Sequence, residues 1–96
     1  MIISSQRYIN NEILNQKIKM MEDQRPECVF LETWETGFDA EILFDGTHTF
    51  TAATQLGIPV KFHAIPHPEG LTGADLLEQA WMDSDWYDVE TDKSAF

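Results

Sequence analysis

The stretch FDGTHTFTAATQLGIPV, residues 44–60, decides the reading of the fold. Asp45-Gly46 ends the apolar run AEIL as a turn, because glycine accepts backbone angles that other residues resist. Thr47 is placed to cap a helix. Phe50, Ala53 and Leu56 recur at the three-four spacing of one buried helical face, and Gly57 supplies the left-handed stop. Ile58, Val60, Phe62 and Ala64 then alternate with Lys61 and His63, the period of a half-exposed strand. Strand, turn, helix and strand follow one another with almost no linker.

Outward from this segment the chain reads as helix, strand, strand, helix, strand, helix. Residues 10–22 form the first helix, with Asn10 as cap, Glu12 at its positive end and Lys17 and Lys19 toward its negative end. Ile13, Leu14, Ile18 and Met21 share its buried face. Arg25-Pro26 stops it, since the residue before proline is pushed out of the helical region. CVFLETW, residues 28–34, is a strand, and residues 40–46 return it through a loop of about five residues around Gly37. After the PHPEG loop, Thr72 begins a last helix, with Asp75 in its first turn and a Leu71–Leu76 staple. Leu77, Ala80 and Trp81 extend its buried face. The expected fold class is α+β, one small domain over residues 1–96.

A glycine turn running into a helix start also offers an anion site. Amide groups of the first turn converge there, and the helix dipole adds positive potential. Gly46 would let the backbone approach a phosphate. Thr47 and Thr49 carry hydroxyls and His48 a ring donor, so Asp45, Gly46, Thr47, His48 and Thr49 are the candidate phosphate or nucleotide residues. Asp45 beside His48 is also a possible general-base pair, although Asp-Gly alone is an ordinary turn former.

The segment 42–65 resembles the core of the ParB/sulfiredoxin-like superfamily. Members carry a strand, a glycine-histidine-arginine motif at a helix start, an alanine pair, a Leu-Gly, a proline and another strand. Asp45-Gly46, His48, Ala52-Ala53, Leu56-Gly57 and Pro59 match that pattern. The preceding helix and hairpin follow the family order, so the resemblance covers roughly residues 10–66. It implies a nucleotide-binding fold. The arginine that clamps phosphate in the family is Thr49 here, and a hydroxyl does not replace a forked cation. The reactive cysteine of sulfiredoxins is Thr47. The expectation is a kept shape with a lost clamp and no sulfiredoxin chemistry.

Charge narrows the function classes. Seventeen acids against six bases give −11. That field disfavours DNA, RNA and anionic membranes, and suits a basic protein surface. Residues 69–96 hold eight acids and one lysine, −7, against −4 for residues 1–68. Trp81, Trp86 and Tyr87 stand among those acids, and aromatics are what interface anchors are made of. The candidate partner-binding residues are therefore Glu78, Trp81, Asp83, Asp85, Trp86, Tyr87, Asp88 and Glu90.

One cysteine, Cys28, excludes an internal disulfide and reads as a buried structural thiol. His48, His63 and His67 do not share a helical ligand spacing, and Asp83, Asp85 and Asp88 lack the glycine and closing glutamate of a calcium loop, so no metal or cofactor is expected. The start lacks a basic region and long apolar stretch, which points to the cytoplasm.

Three readings remain open. The first is a non-enzymatic binding protein that occupies a basic site on a nucleic-acid-handling partner. Phage and mobile-element inhibitors, anti-CRISPR and anti-restriction proteins among them, are often this small and acidic, an analogy of size and charge. The second is a nucleotide-dependent enzyme or regulator using the Gly46 turn. The third is an antitoxin-like folding partner.

Overall fold

In the computed structural model, which describes residues 1–95, the elements run β1 (Ile2–Ser4), α1 (Asn11–Gln24), β2 (Val29–Glu35), β3 (Glu41–Ile42), α2 (Thr47–Leu56), β4 (Val60–Ile65), α3 (Gly73–Gln79) and β5 (Tyr87–Asp88). The strands form one mixed sheet in the order β4-β2-β3-β1-β5. The long parallel pair is β2–β4, from Val29 opposite Val60 to Trp34 opposite Ile65. β2 and β3 form the expected hairpin, with Trp34 opposite Ile42. β1 lies parallel to β3 and antiparallel to β5. The molecule is a small α+β domain.

Local chemistry sets the helix ends. The Asn10 side chain accepts from the Glu12 and Ile13 amides, and Arg25 closes α1 in a left-handed conformation before Pro26. Gly57 ends α2 with φ 71°; its amide donates to the Thr54 carbonyl at 3.2 Å and the Ile58 amide to the Ala53 carbonyl at 2.9 Å, which together satisfy two otherwise open carbonyls of the last turn. In the hairpin loop Thr36 Oγ1 donates to the Ala40 carbonyl and accepts from the Phe38 amide. The Gly73 amide donates to the Thr36 carbonyl at 2.6 Å, which fixes the start of α3 on the hairpin.

The sheet buries a core on each face. Leu14 and Met21 of α1 pack with Ala52 and Ala53 of α2 over Val29 and Val60. The two alanines are fully buried, and such small side chains let helices approach closely. On the other face Ile3, Ile42 and Leu76 surround Trp86, with Trp34, Phe44 and Leu71 against them.

Several expectations are corrected. β1 and β5 were not read from the sequence; both are short and exist through pairing with distant partners. Gly46, not Thr47, is the residue that caps α2, and Thr47 is its first helical residue. Ile13 and Trp81 are exposed rather than buried: the inward face of α1 carries Leu14 and Met21, and α3 ends at Gln79, before Trp81. Cys28 is only half-buried, its thiol directed to the Val29 carbonyl.

Candidate functional site

The residues of the Gly46 turn make their contacts with distant parts of the chain and hold the fold. Gly46 has φ 104°, and a Cβ there would lie 2.9 Å from Leu31 Cδ2. The turn therefore lies against the Leu31 side chain of β2, and its positive φ favours glycine. Thr47 is buried and donates to Gln6 Oε1 at 3.3 Å. His48 Nε2 accepts the Asn10 backbone amide at 3.0 Å, which ties the start of α1 to the start of α2. Asp45 is exposed and Thr49 half-buried. Thr47 and His48 of the turn thus already bond within the chain.

The acidic third of the chain divides into structural and free acids. Ser5 is buried and gathers the segment after α3. Its Oγ donates to the Ala80 carbonyl and accepts from the Met82 amide, and its carbonyl accepts from Ser84 Oγ and the Asp83 amide. The Asp83 carboxylate returns across the same junction to the Arg7 and Tyr8 amides, at 2.7 and 3.1 Å. Asp88 Oδ1 accepts from the Glu90 amide and shapes the turn after β5. Asp92 pairs with Arg7 at 2.7 Å, and the Arg7 guanidinium lies 4.0 Å from the centre of the Tyr87 ring. Glu78, Asp85 and Glu90 have exposed side chains that take no hydrogen bond or ion pair.

The aromatics divide in the same way. Trp86 and Tyr87 are each only 8% exposed, so they are core residues and not the presented anchors expected from the sequence. Trp86 fills the cluster of Ile3, Ile42 and Leu76. Tyr87 donates its hydroxyl to the Gln6 carbonyl at 2.8 Å, and burial raises its pKa above the ordinary 10.0. Trp81 is 51% exposed and meets Trp86 edge to face at 6.4 Å. Met82 and Tyr8, exposed beside the Asp83 junction, join Trp81 as outward apolar side chains that sequence reasoning missed. Tyr8 is joined to this segment by a hydrogen bond across more than seventy residues, which no local pattern announces.

Between α3 and the sheet lies a cleft of about 300 Å³, lined by Ser5, Gln6, Trp34, Phe44, His67, Glu69, Gln79, Met82 and Trp86 among others. Trp34 stacks on Phe44 at 4.0 Å, and His67 stands edge-on to Trp34 at 4.5 Å. His67 Nδ1 accepts the Glu69 amide, which fixes the ring at the mouth of the loop. No lysine or arginine lines this cleft.

Charge is also segregated along the sequence. Residues 46–68, which build α2 and β4, contain no acid at all. Fifteen of the seventeen acids are exposed, all but Glu41 and Asp88, and Arg7–Asp92 is the single ion pair among the described residues. Among those residues no three histidine, cysteine or carboxylate side chains converge as metal ligands, and no helix is long and apolar enough to cross a membrane. Comparison with protein families, curated proteins and solved structures finds no match.

Proposed function

We propose that this chain is a small, acidic, non-enzymatic binding protein on a ParB/sulfiredoxin-like scaffold. It occupies the basic, nucleic-acid-binding surface of a partner protein, as phage-type inhibitors of host defence do. One observation carries this reading: fifteen acids are exposed and a single ion pair forms among the described residues, so most of the negative field is left unpaired within the chain. A field of that kind steers encounter with a basic surface. Glu78, Asp85 and Glu90 supply charge that no internal bond uses. Trp81 and Met82, in the segment between Glu78 and Asp85, supply exposed apolar area. Asp83 and Asp88 contribute to the field while also shaping the backbone that carries these groups.

The internal bonds of Thr47 and His48 argue against the alternative of a nucleotide-dependent enzyme. With Thr49 in place of arginine, ATP or CTP should bind no tighter than about 1 mM. The test is capture of the partner from the source cell, followed by competition. The captured protein should bind nucleic acid, nucleic acid should displace this chain from it, and association should slow as salt rises. A captured partner that binds nucleic acid and this chain at once removes the proposal. Calorimetry giving micromolar ATP or CTP affinity, lost in Gly46→Val, replaces it with the nucleotide reading.

A further inference from the structure

The cleft between α3 and the sheet has a chemistry of its own, and we propose that it receives an arginine side chain of the basic partner. The inference rests on the reading of this chain as a ligand of a basic surface, and adds the residue which that surface inserts. Three features select the occupant. The first is size: about 300 Å³ lies at the lower end of small-ligand sites, enough for one side chain or a small molecule. The second is charge. Glu69 is the one charged residue of the lining, and the whole chain stands at −11, so phosphates and carboxylates are repelled. The third is the wall. Trp34, Phe44 and His67 form a connected aromatic group, with the polarisable Met82 and the Gln79 amide also lining the space.

A guanidinium suits that combination better than an ammonium. It is planar and weakly hydrated, it packs on aromatic and thioether groups, and it meets a carboxylate through two parallel hydrogen bonds. Met82 lines the cleft and is itself exposed, so the cleft reaches the surface within residues 78–86, the segment that also carries Glu78 and Asp85. One partner surface can therefore reach the acids and the cleft together.

The test uses the full chain and N-acetyl-arginine amide as probe, followed by NMR through the indole and backbone signals. N-acetyl-citrulline amide is the neutral isostere, and AMP is the anionic control. The arginine probe should give saturable shifts at the cleft residues, with a dissociation constant on the order of millimolar. Citrulline and AMP should give none over the same range. Glu69→Gln should weaken the arginine probe at least about threefold while leaving the melting temperature unchanged, because this side chain is exposed and carries no internal bond. Equal shifts from citrulline, shifts confined to acids outside the cleft, or unchanged affinity in Glu69→Gln each overturn the inference. Absence of cleft shifts while nucleic acid still competes with this chain for its partner removes the cleft proposal alone. Failure of that competition is read in the separate capture experiment.

Discussion

The backbone amide of Asn10 donates to Nε2 of His48 at 3.0 Å, across a sequence separation of 38 residues. The acceptor nitrogen is thereby committed, and the neutral ring carries its proton on Nδ1. Asn10 in turn caps α1. A histidine that sequence reasoning places at a phosphate site instead joins two helix starts. His48→Ala should therefore lower stability by about 1 kcal/mol, the cost of one partly buried hydrogen bond. Hydrogen exchange at the Asn10 amide should accelerate severalfold, and His48→Gln, which keeps an acceptor, should recover part of the loss. Unchanged Asn10 exchange in His48→Ala would show that the bond does not hold α1.

Gly46 supports a second prediction. Its φ of 104° and the 2.9 Å approach of Leu31 Cδ2 are separate obstacles to any side chain. Gly46→Ala should cost roughly 1–3 kcal/mol from backbone strain, with a further steric part. Leu31→Ala removes the atom that would clash but leaves φ unchanged. Urea unfolding of the four-member cycle should give a smaller Gly46→Ala cost in the Leu31→Ala background, and equal costs would remove the steric part of the account.

The same two residues show what the sequence could convey. α2 was legible to within one residue because a glycine turn, a three-four apolar stripe and a second glycine all agree over residues 46–57. α1 and β4 were legible for similar reasons of length and period. β1 and β5 were not, since three residues and two residues cannot display a period. They are strands because Ile2 and Ile3 meet Glu41 and Ile42, and Ser4 meets Tyr87. The misreading of Trp86 has the same origin. Its neighbours in sequence are acids, whereas its neighbours in space are Ile3, Ile42 and Leu76. The Gly46 motif was found correctly as a turn, but the partners that occupy it, Asn10, Gln6 and Leu31, lie outside the motif.

Tyr87 gives the molecule a stability change at alkaline pH. Burial is the main cause that raises its pKa above 10.0; a hydrogen bond with Ser4 and the charge of Arg7 lower it, and Asp92 and Asp83 raise it again. Below pH 10 the phenol is neutral in both folded and unfolded chains, and its full contribution is present. As pH rises past 10.0 the unfolded chain releases the proton first and binds fewer protons than the native state, so stability falls until the folded value is passed. Tyr87→Phe should be less stable near neutral pH by about 1 kcal/mol, having lost the bond to Gln6. The parent should lose that advantage as urea midpoints are followed above pH 10. A constant gap between parent and Tyr87→Phe across that range would contradict the assignment.

Trp81 and Trp86 test the division between core and surface. They touch edge to face, yet one is 51% exposed and the other 8%. Trp86→Ala should cost about 3–5 kcal/mol of stability, as large-to-small changes in a core do, and so consume much of a small domain's total. Trp81→Ala should shift stability by no more than about 0.5 kcal/mol, because little is buried there. If Trp81 anchors a partner, its loss should instead speed dissociation. The acids divide in parallel. Asp83→Ala removes the carboxylate from the Arg7 and Tyr8 amides and should destabilise by about 1 kcal/mol, so it is unsuited to a pure test of surface charge. Glu78→Gln, Asp85→Asn and Glu90→Gln combined should leave the melting temperature nearly unchanged. The same triple change should slow association with the captured partner at low salt and lose that effect at high salt, where exposed charges are screened beyond a few ångströms. Melting curves and stopped-flow rates on the four variants separate the roles. If the triple variant associates at low salt as fast as the parent, these three acids do not steer the encounter. If Trp81→Ala melts as early as Trp86→Ala, the exposed tryptophan is part of the core after all.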